Sequence, residues 1–275
     1  MKKIYIQNLG MIVTEKCNLN CEHCLRGKCS DKVMSDEVID ATLSQVCAIG
    51  NLAICGGEPT LALDRLEKIF DYIIKNKILV NEITLVINGT IYSVELLRLL
   101  DYIDSYINIT PFTKKSKSLF AISWDKYHHS EIERLKLTKQ YIENVEKYKE
   151  SKHFMRLQPL TEKLFREGNA VNLDESLTVP LKPISPLMTY VGKFKKLDLE
   201  NGLCNIGPLI TINVDGIITE CDASIENQRS LYNYGNVLTD NIEEIFIKRK
   251  TKILKPKEWL IETEKEIERY WSYEN

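Results

Sequence analysis

The sequence predicts an α/β protein built on a parallel sheet, and three observations carry that prediction. Short apolar runs of strand length alternate with amphipathic stretches of helical period, at least four times in succession. At 275 residues, 44% hydrophobic and 28% charged, the chain can bury one sizeable core. Polar motifs follow directly after the apolar runs, where parallel sheets gather their chemistry. Periodicity alone leaves open whether the sheet stays flat or curls into a barrel.

Residues 9–14 (Leu-Gly-Met-Ile-Val-Thr) are the first strand, ending just before a group of cysteines. Ser35-Asp36-Glu37 starts a helix, a capping hydroxyl followed by acids. Val38, Ile39, Thr42, Leu43, Val46 and Cys47 mark its inner face, which puts Cys47 in the core. The second unit is a strand over 51–55 and a helix over 61–75, buried through Leu63, Leu66, Ile69, Phe70, Ile73 and Ile74. The third is a strand over 82–87 and a helix over 93–104. The fourth is a strand over 119–123 and one long helix over 130–150, with a fifth strand over 153–157. Three prolines within 180–186 make a connector. Beyond it, 209–213 and 217–219 flank Val214-Asp215-Gly216, an Asp-Gly hairpin signal. A charged surface helix is expected over 257–270.

The net charge of −2 gives no reason to expect nucleic acid or an anionic membrane as partner. The lysine runs at 114–117 and 248–250 read as solvated surface. No apolar stretch reaches the roughly 20 residues of a membrane span, and the N-terminus lacks signal-peptide features. The expected location is therefore cytoplasmic, where thiols stay reduced. Eight cysteines then argue for metal or buried thiols rather than disulfides. With so little chain ahead of strand one, a leader peptide would need a partner protein to recognise it.

Cys17, Cys21 and Cys24 stand four and three residues apart in a compact stretch with Asn18 and Asn20. Buried cysteines on a helix face would suit the spacing, but the two asparagines resist helix and favour a loop. Thiolates select zinc, copper(I) or iron–sulfur clusters. Three ligands leave a coordination position open, as a reactive metal site requires. Zinc, with His23 or Cys29 as fourth ligand, and a [4Fe–4S] cluster with one free iron stay level on the cysteines alone. Gly56-Gly57-Glu58-Pro59, after the second strand, tips the balance towards the cluster. The glycines permit close backbone approach to a ligand, and Glu58 brings a carboxylate suited to an ammonium group.

Together these residues resemble the radical S-adenosylmethionine superfamily. Cys17, Cys21 and Cys24 match its CxxxCxxC motif and Gly56 to Pro59 its GGEP motif. The resemblance covers at least residues 9–125. It implies a partial (β/α)6 TIM-type barrel over 1–185, with a small hairpin-plus-helix appendage over 186–275. It also implies a [4Fe–4S] cluster on Cys17, Cys21 and Cys24, with S-adenosylmethionine on the open iron and its methionyl amine at Gly56, Gly57 and Glu58. His23 stands where the family has an aromatic ring near the adenine. Asn88, Ser123 and Asp125 match weaker motifs for the ribose or methionyl carboxylate. The implied chemistry is reductive cleavage to methionine and a 5′-deoxyadenosyl radical that abstracts hydrogen. A low-potential donor, flavodoxin or ferredoxin, is the implied partner.

Cys204, Gly216 and Cys221 resemble the opening of the SPASM and twitch auxiliary-cluster domains, C-x(9–15)-G-x(4)-C. No cysteine follows Cys221, and two are too few for a closed cluster. The expectation is a shortened, cluster-free relic, with Cys204 and Cys221 as a possible auxiliary site. That resemblance implies peptide or protein modification, or dehydrogenation of a small alcohol such as an aminocyclitol. A ribosomally made peptide or protein is the leading reading, and the alternatives are a small molecule (aminocyclitol, sugar or nucleoside) and a non-catalytic metal-binding regulator. Tyr127, His128 and His129 are the substrate-side candidates. Glu167-Gly168-Asn169-Ala170 weakly resembles a Gly-Arg-Ala run of relatives.

Overall fold

The computed structural model describes residues 4–107, 117–160, 164–181, 188–192, 203–207, 210–219, 223–242 and 244–245. Five parallel strands lie side by side in chain order: β1 (Ile4–Ile12), β2 (Val46–Cys55), β3 (Leu79–Ile87), β4 (Lys117–Ser123) and β5 (Phe154–Gln158). The crossovers carry α1 (Asp36–Leu43), α2 (Leu63–Lys75), α3 (Val94–Ile107), α4 (Lys126–Arg134) and α5 (Thr138–Lys149). Then follow β6 (Leu164–Phe165) and β7 (Thr178–Val179), which pair with each other, and the antiparallel pair β8 (Met188–Gly192) and β9 (Leu203–Gly207). The hairpin of β10 (Ile210–Ile212) and β11 (Ile218–Thr219) precedes a short helix, α6 (Ile225–Arg229).

Both β9 and β10 run parallel to β1, so strands from either side of residue 185 share one sheet. Its order, β11-β10-β1-β2-β3-β4-β5, does not close on itself. The result is an open arc of a TIM-type barrel.

Strand alternation explains the core. Leu9, Leu52 and Ile83 stand in register, as do Met11, Ile54, Leu85 and Phe120. Because Cβ atoms alternate along a strand, these rows share a face. They pack with Leu66, Ile69, Phe70 and Ile73 of α2 and Leu96, Leu99 and Leu100 of α3 in one apolar cluster. Ser35 caps α1 as predicted, accepting from the Val38 amide.

Two expectations are corrected. The first helix stops at Leu43, and Val46 and Cys47 open β2, where Val46 pairs with Ile4. Cys47 is accordingly half-buried on a strand, not a core residue of a helix. An apolar run fits periods of 3.6 and 2 equally over so few residues, and pairing with β1 decides between them. The long helix of 130–150 is two helices, broken at Lys136, whose φ is +59°. The helix expected over 257–270, and Cys221, lie outside the described residues.

Candidate cluster and cofactor site

Residues 14–33 leave β1 as a loop closed at its base by the bridge between Thr14 and Val33. Inside it, the Cys24 amide donates to the Cys21 carbonyl (3.0 Å) and the Gly27 amide to Cys24 (3.2 Å). The Cys17 sulfur accepts from the Leu19 amide at 3.5 Å. These turns keep three half-buried thiols on one short arc. A hydrogen bond with Cys29 and then burial push the Cys17 thiol up. Burial, reinforced by Cys24, Asp125 and Glu131, pushes Cys21 up to about 12, and burial likewise raises Cys24. Cys29 goes the other way, to about 7, through its bond with Cys17.

The GGEP turn is pressed directly against that loop. The Gly57 amide donates to the Thr14 carbonyl and the Glu58 amide to Lys16, both at 2.7 Å. A Cβ on Gly57 would sit 2.2 Å from the Lys16 carbonyl oxygen, and one on Gly56 2.6 Å from that of Thr14. Both glycines therefore lie close against the protein's own backbone. Glu58 is turned inward, only 1% exposed. Its carboxylate accepts from the Thr60 amide (3.0 Å), the Thr60 hydroxyl (2.6 Å) and the Asn88 amide (2.7 Å). Burial raises its pKa against those three hydrogen bonds. Among the described residues no cation forms an ion pair with it.

Asn88, just past β3, joins the motifs. Its Nδ2 donates to Asn18 Oδ1 at 2.8 Å, its Oδ1 accepts from the Thr90 amide and hydroxyl, and Asn18 donates to Thr90 in turn. Its carbonyl accepts from His128 Nε2 at 2.9 Å, while His128 Nδ1 lies 3.8 Å from the Cys21 sulfur. His128 is 2% exposed, and burial holds its pKa down. Three strand ends and two of the three cysteines thus share one hydrogen-bonded network.

Asp125 caps α4, accepting from the Tyr127 and His128 amides. Its other oxygen lies 3.4 Å from His23 Nε2. Burial pushes this carboxyl up, but His23 and the capping amides prevail and hold it below its usual range. The His23 ring stacks on Tyr127 at 5.0 Å, leaving its buried Nδ1 without a protein partner. Ser123 ends β4, half-buried, with its carbonyl held by the Tyr141 hydroxyl. Of the substrate-side candidates, Tyr127 and His128 face His23 and Cys21, and His129 packs edge-on against Trp124. Cys204 lies on β9, opposite Val191 of β8.

Sequence reasoning missed Asn18, Thr90 and Glu131, whose carboxylate accepts from the Asn20 amide at 2.9 Å. Asn18 stands inside the motif, where its sequence signal is that of a helix breaker. Thr90 and Glu131 carry no local signal, because their partners are 72 and 111 residues away.

Donor chemistry tests whether these residues suit the implied cofactors. Three soft thiols on one loop suit separate irons of a cluster. The orphaned His23 Nδ1 and the inward carboxylate beside Asn88 suit a polar ligand at the same rim.

A family model described as the Radical SAM superfamily matches residues 11–155. No curated protein matches the chain. Among solved structures, the chain is similar to native anSMEcpe with bound AdoMet and Cp18Cys peptide, at 19% identity and a TM-score of 0.48, over 92% of this chain and 82% of that one. It is also similar to SuiB of Streptococcus suis bound to precursor peptide SuiA, at 12% identity and a TM-score of 0.40, over 89% of this chain and 64% of that one.

Proposed function

Because this chain belongs to the radical S-adenosylmethionine superfamily, we propose that it makes a substrate radical at the rim where its cysteine loop meets β2, β3 and β4. Its cofactors are a [4Fe–4S] cluster and S-adenosylmethionine. When bound, they supply a low-potential electron and a hydrogen-abstracting radical. Cys17, Cys21 and Cys24 would hold the cluster. Gly56, Gly57, Glu58, Asn88, His23, Ser123 and Asp125 would shape the S-adenosylmethionine site. Glu58 does so by tying the GGEP turn to Asn88, and Asp125 by fixing His23 against Tyr127. His128, buried between Asn88 and Cys21, excludes water from the cluster side.

The observation that carries this reading is the single network running from Cys17 and Asn18 through Asn88 to Glu58. The substrate we favour is a ribosomally made peptide or protein, supported by the Cys204–Gly216–Cys221 spacing. Flavodoxin or ferredoxin would supply the electron. A small polar substrate is the second reading. Asn51 and Thr84, bonded at 3.1 Å, lie with Glu82 on the sheet face opposite the apolar rows.

Anaerobic reconstitution with S-adenosylmethionine and dithionite tests the chemistry. The wild type should release 5′-deoxyadenosine and carry about four irons per chain, and Cys21→Ala should lose both. Wild-type protein that yields no 5′-deoxyadenosine would sink the enzyme reading.

A further inference from the structure

The cysteine loop is held by two segments from later in the chain. The first is 167–169. Gly168, at φ +57°, lets this segment lie against the loop, and a Cβ there would come within 2.4 Å of the Cys24 and Leu25 carbonyl oxygens. The Asn169 amide donates to the Cys24 carbonyl at 2.8 Å and its side-chain amide to the Cys21 carbonyl at 3.0 Å. Two of the three cysteine carbonyls are therefore pinned by one asparagine.

The second segment follows the β10–β11 hairpin. Ala223 accepts from the Arg26 guanidinium at 3.1 Å, and the Ile225 amide donates to the Arg26 carbonyl at 3.1 Å. Arg229 donates to Glu15, two residues before Cys17, and to Asp215 at 2.7 Å. Glu15 also accepts from Ser30, and Asp215 from Lys32, so both ends of the loop are tied in. Glu167 joins the segments. Its buried carboxylate accepts from the Ser224 amide at 2.8 Å and from Asn227 Nδ2 at 2.9 and 2.8 Å.

We propose that Glu167 and Arg229 are positioning residues of a clamp that closes 167–169 and 223–229 around the cysteine loop and holds its thiols in place. The region after residue 186 then acts on the cysteine loop through protein contacts. A buried Glu15 left unpaired would be unfavourable, so loss of Arg229 should loosen the loop at the residue leading into Cys17. The claim about the cluster rests on the function proposed above; the claim about the loop does not.

Two measurements on the full chain separate these. Hydrogen exchange of the cluster-free protein over residues 15–33 should be several-fold faster in Arg229→Met and Glu167→Gln than in wild type, with exchange over β2 and β3 unchanged. In reconstituted protein, iron loss to a chelator should be roughly tenfold faster in both variants, the usual scale for supports behind a metal ligand. Arg229→Lys should restore much of it. Wild-type exchange over 15–33 in both variants would overturn the clamp. Should either variant fail to fold, Asn227→Ala, which removes both side-chain bonds to Glu167, decides on the same exchange readout, and a wild-type rate there would again overturn the clamp. A wild type that binds no cluster, with faster loop exchange in the variants, would instead reject the radical chemistry and leave the clamp standing.

Discussion

Asn88 concentrates the rim's hydrogen bonding in one side chain, which both donates to Asn18 and accepts from Thr90. Asn88→Ala would strand the buried Thr90 amide and hydroxyl and should cost about 1–3 kcal/mol in urea unfolding. Its backbone tie to Glu58 would survive, so the GGEP turn should stay formed. Asp125 combines a helix cap with a contact to His23, and Asp125→Ala should cost about 1 kcal/mol near neutral pH. Its folded carboxyl titrates below the usual 3.8, so its stabilisation is complete above that value. It is lost as the pH falls through the lower, folded value. The gap between wild type and Asp125→Ala should therefore close in acid, and urea titrations at neutral and acidic pH check this.

Among the elements, the turn from β2 and the break between α4 and α5 are most exposed to single changes. Gly57→Ala must displace the Lys16 carbonyl. Backbone cannot yield as a flexible side chain would, so S-adenosylmethionine binding and thermal stability should fall together. Lys136 adopts the left-handed region without glycine's freedom. Since that conformation costs an ordinary residue about 1–2 kcal/mol, Lys136→Gly should raise the urea midpoint without altering activity. An unchanged midpoint would mean the break is set by the contacts of Leu135 and Leu137.

Across the whole molecule, the chain after residue 186 contributes β9 and β10 to the edge of the main sheet and 223–229 to the support of the cysteine loop. Iron analysis tests what its two cysteines do. A double Cys204→Ser, Cys221→Ser variant should keep the wild-type count of about four irons. A wild-type count near eight, falling to about four in the variant, would establish a second cluster.

Much of this was legible in the chain because it is local. The strand–helix alternation, the Ser35 cap, the cysteine spacing, the GGEP turn and the Asp-Gly hairpin each act within a few residues, so a linear reading finds them. Four polar motifs following four apolar runs likewise placed the site at the strands' carboxyl ends. Tertiary structure decided what depends on distant partners. Pairing with β1 assigned Val46 and Cys47 to a strand. Packing turned Glu58 inward onto Asn88 and put His128 beside Cys21. The sheet brought Thr90 to Asn18, and the hairpin's sequel brought Arg229 to Glu15. Burial and hydrogen bonding across hundreds of residues of chain are properties of the folded surface, and no spacing in the sequence encodes them.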